Sequence, residues 1–353
     1  MKSMRSKAHA FAAPVRPSRL QGSSQLQSPS LLQGPAPVQG PSLTRYPRFS
    51  MSPPDYKSMR VLLVSMLPAD LWRVEPLLAE HVRLFAKEVI PMKYSEKDFC
   101  AQIVDYQPDV LIMAGSEQTL TPLAATFLRG SDIKKVWWMT SIEAASHADQ
   151  RLLQAFSAIF VPQVEDAEAL SRLGTKAGVL PFGADPARFY QRHVDERHAS
   201  GLLLVGQSTP ARRQCLSAIR QGPLEGGRIL AMGKGWEGCP GVETADSGVP
   251  SELYYNGAAA AINWEEDTAT MLEMAACGTP QFIWLPDAAS SVMAPGVDMI
   301  PFAKEEELPR LIHHYWHNPD KRRAVATAAL ERSRYEYSYV QISLKLLKAA
   351  YQA

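Results

Sequence analysis

From residue 59 onward the chain alternates short apolar runs with helical patterns, and the alternation starts afresh at Gly201. In the first set, Arg60–Ser65, Asp109–Gly115, Lys135–Thr140, Ala158–Pro162 and Gly178–Pro181 read as buried strands. Helical patterns lie between them near 69–88, 119–129, 145–156 and 165–173. In the second set the strands are Leu202–Val205, Arg228–Met232, Ala260–Trp264 and Gln281–Trp284, with helices near 210–220, 250–257, 268–276, 304–316 and 319–332. Strands that alternate with helices build a parallel sheet covered on both faces. Two such sets predict an α/β protein of two doubly wound, Rossmann-like domains facing a cleft. Ligands in such sheets bind beyond the carboxyl ends of the strands. The polar stretch His193–Ser200 is the natural linker, and Ser338–Tyr351 reads as a final helix.

The first 50 residues are of another kind. They are rich in Ser, Pro and Gln and hold seven Lys and Arg but no Asp or Glu. Such a segment buries too little apolar surface to offset its ordering entropy, so a disordered arm is expected over 1–57. A targeting segment, or a true start at Met51 or Met59, fits the same composition. Of 37 Lys and Arg in the chain, 30 remain beyond residue 50 against 36 Asp and Glu, a net charge of −6. A net-acidic body is unlike a non-specific nucleic-acid binder, which needs a basic face. Four scattered cysteines without a C-x-x-C pair argue for reduced thiols and a cytoplasmic protein, free or peripheral to a membrane. No apolar run reaches the roughly 18 residues of a membrane span.

Chemistry concentrates in the second set. Ala258–Trp264 reads as a strand, Glu265-Glu266-Asp267 as an acidic loop, Thr268–Ala276 as a helix, and Gly278 as its stop. Glu265 past the strand and Glu273 on the helix can reach one cleft, where two fixed acceptors suit a polyhydroxylated ligand. Gly206-Gln207-Ser208-Thr209-Pro210-Ala211-Arg212-Arg213 is a small-residue loop leading into a helix with two arginines, a pattern that holds phosphate. Gly233-Lys234-Gly235-Trp236 permits close backbone approach and offers Lys234 to phosphate or base, and Tyr254 or Tyr255 offers a ring to stack on the base. In the first set, Ser116 after one strand, and Ser141 and Glu143 after the next, should line the cleft. His313, His314 and His317 lack the Glu of a zincin and read as a solvated helix face, and no Asp-x-Asp is present, so no metal site is expected.

The run Glu265…Glu273-Met274-Ala275-Ala276-Cys277-Gly278-Thr279-Pro280 resembles the donor-sugar motif of GT-B-type glycosyltransferases, the group-1 and spore-maturation-type families above all. Pro181-Phe182-Gly183-Ala184-Asp185 resembles the signature that precedes their inter-domain linker, where Asp185-Pro186 forms a turn. The resemblance implies a sugar transferase using a nucleotide-diphosphate sugar, UDP- or GDP-linked, without metal, other cofactor or change of anomeric configuration. It implies an acceptor domain over 58–195, a donor domain over 196–336, and a helix over 337–353 crossing back to the first domain. Arg212 or Arg213 becomes the diphosphate ligand, with Gly206, Ser208, Lys234, Trp236, Tyr255 and Thr268 around the donor. Glu273 takes the ribose hydroxyls. Glu265 holds the sugar and, with Glu143, carries catalysis, while Ser116 and Ser141 face the acceptor. The acceptor (glycan, protein, small molecule or modified base) stays open. Many spore-maturation-type proteins show an Asp and a Pro where Ser141 and Glu143 stand. That departure keeps a silent nucleotide-sugar binder, an epimerase of the same fold and a transferase acting on modified DNA bases as alternatives.

Overall fold

The computed structural model describes residues 55–351 apart from 72, 117–119, 141–149, 222–223, 225–226, 266 and 286–291. Residues 1–54 of the expected arm, Ser141 and Glu143 therefore lie outside the described residues, while its last residues, from Asp55, enter a one-turn helix at Tyr56–Ser58. The first sheet holds β1 (Arg60–Met66), β2 (Glu88–Lys93), β3 (Val110–Gly115), β4 (Lys134–Trp138), β5 (Ala158–Val161) and β6 (Gly178–Val179), all parallel, in the order β2-β1-β3-β4-β5-β6. Its helices are α1 (Val74–Arg83), α2 (Phe99–Tyr106), α3 (Pro122–Gly130), α4 (Gln150–Leu153) and α5 (Val164–Arg172). The near-continuous apolar strands follow from burial on both faces. Adjacent Trp138 and Trp137, both fully buried, enter the cores on opposite faces of β4.

The second sheet holds β7 (Leu202–Val205), β8 (Ile229–Met232), β9 (Glu243–Thr244), β10 (Ala261–Asn263), β11 (Gln281–Trp284) and β12 (Ile300–Phe302), again parallel, in the order β12-β11-β10-β7-β8-β9. α6 (Pro210–Arg220), α7 (Ser251–Gly257), α8 (Thr268–Ala276), α9 (Leu308–His317) and α10 (Pro319–Glu336) accompany it. α11 (Tyr339–Tyr351) packs Tyr339, Ile342, Leu346 and Leu347 into a core of the first sheet. It returns beside the outgoing chain: Ala184 N donates to Tyr337 O at 3.2 Å, and Tyr339 N to Ala184 O at 3.2 Å. Gly183 permits the approach, since a Cβ there would overlap the Tyr337 carbonyl.

Two expectations change. The helical pattern over 69–88 is a one-turn helix at Ala69–Leu71, then α1, which ends by Leu84. Lys87 N and Glu88 N then donate to Met59 O, and β2 begins. β2, α2, β9 and β12 were not anticipated. Pro91 and Pro301 sit in β2 and β12, which are edge strands, where a missing N–H costs no ladder bond. Among the described residues no helix is long and apolar enough to cross a membrane.

Candidate functional site

In a doubly wound sheet the crevice opens where the strand order reverses. In the second sheet that place lies between β7 and β10, whose carboxyl ends carry Gly206 and Glu265. Gly206 has φ +123°, and a Cβ on it would stand 3.1 Å from Glu265 Oε1 and from Trp264 Cβ. The two glycine loops are zipped together. Gly206 N donates to Met232 O and Ser208 N to Lys234 O, both at 2.9 Å. Gly233 (φ +140°) lies so close to the Gly206 carbonyl that any side chain would overlap it. Trp236 Nε1 donates to that same carbonyl at 2.8 Å. Trp236 is fully buried, so it is a strut for the loop and not the donor contact expected of it.

α6 starts under this loop because Thr209 Oγ1 accepts from Arg212 N at 3.2 Å and Pro210 fills the first helical position. That start aims Arg212 across the crevice. Its Nη1 donates to Gln207 O at 2.6 Å, its guanidinium lies 5.0 Å from the Trp264 ring centroid, and Glu305 Oε1 is 3.8 Å from Nε. That Nε is buried and makes no hydrogen bond among the described residues. Burial pulls the guanidinium below its ordinary pKa, while Glu305 and Glu265 oppose the shift. Arg213 is exposed and donates from Nε to Ser208 Oγ at 2.7 Å, and Lys234 is exposed on the neighbouring loop.

α8 is capped by Asp267, which accepts from Ala269 N and Thr270 N, both at 3.1 Å. Thr268 is buried behind that cap. One turn on, Glu273 lines a cleft of about 1140 Å³ whose other wall is Arg73, Val74 and Leu77 of the first half. Burial raises the Glu273 carboxyl to about 7, against the pull of Arg188 and Arg73. Arg188, also on the cleft, donates from Nε to the largely buried Glu252 Oε2 at 2.8 Å.

The expected residues thus fall into two groups. Gly206, Ser208, Arg212, Arg213, Lys234 and Glu265 meet at the ends of β7, β8 and β10. Glu273 stands on the large cleft, which touches the first group's loop at Met232 and Gly233. Tyr255 is placed elsewhere. It is buried, stacks on Phe189 and lines a separate cavity, while Tyr254 faces the cleft. Ser116 sits half-buried after β3. Arg73, Arg188, Asp267 and Glu305 were not anticipated. Asp267 was findable as a capping residue before a helix, and Arg188 as the cation three residues past the Asp185 turn. Among the described residues no three His, Cys, Asp or Glu side chains converge as a metal-ligand set.

Solved structures share this double-sheet arrangement. A glycosyltransferase from Rickettsia africae matches with a TM-score of 0.59 at 12% identity, over 84% of this chain and 98% of its own. Sucrose-phosphate synthase from Thermosynechococcus elongatus matches with a TM-score of 0.54 at 12% identity, over 82% and 98%. HepE of Anabaena, solved in complex with UDP-glucose, matches with a TM-score of 0.50 at 12% identity, over 82% and 98%. The fold is that of the GT-B glycosyltransferases. Residues 212–348 match the family model described as glycosyl transferase-like. That stretch opens at Arg212 and spans both glutamates, so the GT-B resemblance and the candidate site coincide in the second half. No curated protein sequence matches the chain.

Proposed function

We propose that this GT-B protein transfers a sugar from a nucleotide-diphosphate sugar, UDP-linked before GDP-linked, to an acceptor. The observation that carries the reading is the meeting of Gly206, Arg212 and Glu265 at the reversal point of the second sheet. Arg212 already spans the crevice, and its buried Nε–H has a charge to offer a phosphate oxygen. HepE's complex with UDP-glucose supports a uridine nucleotide. In the reaction the bond from the anomeric carbon to the diphosphate oxygen breaks, a bond to an acceptor oxygen forms, and the acceptor's proton passes to the departing diphosphate. Arg212 and Arg213 neutralise the departing diphosphate with the loop amides, Glu265 orients the sugar hydroxyls, and Glu273 meets the ribose. Retention of configuration and independence of metal belong to the proposal. So do the boundaries 58–195, 196–336 and 337–353, the acceptor side at Ser116 and Ser141, and the catalytic part of Glu143 beside Glu265. Closing the two halves over the cleft would exclude water.

A thermal-shift panel of UDP, GDP and their sugars, with Arg212→Ala alongside, tests this. A ligand at about 100 times its Kd stabilises by roughly 2.7 kcal/mol. A shift with one diphosphate that Arg212→Ala removes is the expected result. No shift with any nucleotide overturns the reading. A shift with a sugar nucleotide that is never consumed in the presence of acceptor extracts makes the protein a binder.

A further inference from the structure

The opposite, amino-terminal end of the second sheet holds a second cavity, of about 580 Å³, between the chain entering β10 at Ala258-Ala259 and that entering β11 at Thr279-Pro280. Arg192, His193, Arg322 and Arg323 line it, and among the described residues no Asp or Glu does. Four groups able to carry positive charge around an acid-free concavity make a field that one sign of ligand answers. Their existing partners leave much of that charge over. Arg323 pairs at 3.2 Å with Asp320, whose side chain is 94% exposed, an arrangement worth little in water. Arg322 donates to the Tyr315 carbonyl at 3.1 Å and stacks on Trp316, with no carboxylate bound among the described residues. Burial and the neighbouring Arg323 both push its pKa down. Arg192 Nε is buried and makes no hydrogen bond among the described residues, and the nearest carboxylate oxygen recorded for that side chain is Glu252 Oε1, 3.6 Å from Nη2.

Glu252 also links this cavity to the cleft. One of its oxygens serves Arg192 of the second cavity and the other serves Arg188 of the cleft. Arg188 in turn is the cation that most favours an ionised Glu273. An anion that draws Arg192 away leaves Glu252 to Arg188 alone, and so changes what Arg188 offers Glu273 and any ligand there.

We propose that the second cavity binds a small phosphate-bearing anion, and that its occupancy is transmitted to the cleft through the chain Arg192–Glu252–Arg188. Phosphate suits the site because planar guanidinium forks engage its oxygens in pairs. The source is free phosphate or a phosphate monoester, and glycerol 3-phosphate stands for the ester.

Calorimetric titration of the full chain with inorganic phosphate and with glycerol 3-phosphate tests binding. Saturable binding is expected that survives Arg212→Ala, and that weakens about tenfold or more in R322Q/R323Q, as expected for lost charge-assisted hydrogen bonds. R323Q alone, changing a side chain that is 75% exposed, should weaken it in the same direction with the fold untouched. Tighter binding of the ester names a phosphorylated metabolite, and equal binding names free phosphate. Absent saturation, or affinity unchanged in both arginine variants, overturns the site. Transmission rests on the nucleotide reading of the cleft and is measured separately, as the UDP Kd with and without saturating ligand. Coupling is reciprocal, so the shift should be present in the wild type and reduced in R322Q/R323Q. An equal shift in both is direct competition and overturns the linkage. A wild type that binds phosphate but no UDP refutes the cleft reading and leaves the second site standing.

Discussion

The reversal points of the two sheets are built on one plan and furnished differently. Each has a glycine of positive φ leaning across the crevice, Gly115 (φ +128°) at the end of β3 and Gly206 (φ +123°) after β7. Each glycine's carbonyl takes the indole N–H of a fully buried tryptophan, Trp137 at 3.1 Å and Trp236 at 2.8 Å. The difference is in what the glycine faces. Gly115 lies against the backbone of Met66, so close that a Cβ would overlap it. Gly206 faces the Glu265 carboxylate and the Arg212 guanidinium. The fold alone supplies a crevice in both places, and among the described residues only the second glycine faces charged side chains. Fold and function part at this point: the backbone device recurs, while the chemistry depends on which side chains stand over it.

The largest effect should come from blocking that device. Gly115→Ala and Gly233→Ala each drive a Cβ into backbone at a φ that L residues rarely adopt. Each should cost on the order of 3 kcal/mol or more in urea unfolding. A variant that unfolds with the wild type would show that the close approach is not required. The comparison adds a second reading of the pair. Gly115→Ala, where it still folds, should leave UDP affinity near that of the wild type, whereas Gly233→Ala should lose it.

The next effect separates the two cleft walls by pH. Burial raises Glu273 to about 7, whereas an unfolded glutamate titrates near 4.3. Between those values the unfolded chain gives up a proton that the native state keeps. Stability from this group is therefore whole at pH 4, falls as pH rises towards 7, and changes little above. The fall is up to roughly 4 kcal/mol. Glu273→Gln should flatten it, so the loss of stability between pH 5 and pH 8 shrinks relative to the wild type. Equal losses in both would place the group in water. Nucleotide binding that favours the ionised carboxylate should strengthen over the same pH window in the wild type alone.

The features legible in the chain are those that local spacing determines. α6 and α8 lie where the chain's pattern puts them, near 210–220 and 268–276, and Thr209 with Pro210 and the capping Asp267 fix their starts. Gly206, Arg212 and Glu265 were readable because each lies within a few residues of a buried strand end. The edge strands β2 and β12 escaped because a proline breaks each apolar run, and an edge tolerates what a central strand would not. Tyr255 was a near miss. Neighbours on a helix point about 100° apart, so Tyr254 faces the cleft and Tyr255 the cavity behind it. The pairs Arg188–Glu252 and Arg212–Glu305 join residues far apart in the chain. No local pattern encodes them.

The tryptophans give the smallest effect and the sharpest comparison. Trp137→Phe and Trp236→Phe each remove one buried N–H donor and strand one glycine carbonyl, at a cost of about 1–3 kcal/mol. Chemical unfolding should find the two losses similar, because the bond removed is the same in both sheets. Nucleotide affinity should not follow stability. In Trp236→Phe the Gly206 carbonyl is freed from its strut, the loop carrying Ser208 relaxes, and the UDP Kd should rise several-fold. In Trp137→Phe the relaxed carbonyl belongs to Gly115, which lies against the Met66 backbone in the first sheet, and the UDP Kd should hold. Equal weakening of UDP binding in both variants would mean that general loosening, and not the placement of the Gly206 loop, sets the affinity. The charged crevice would then owe nothing to the tryptophan beneath it.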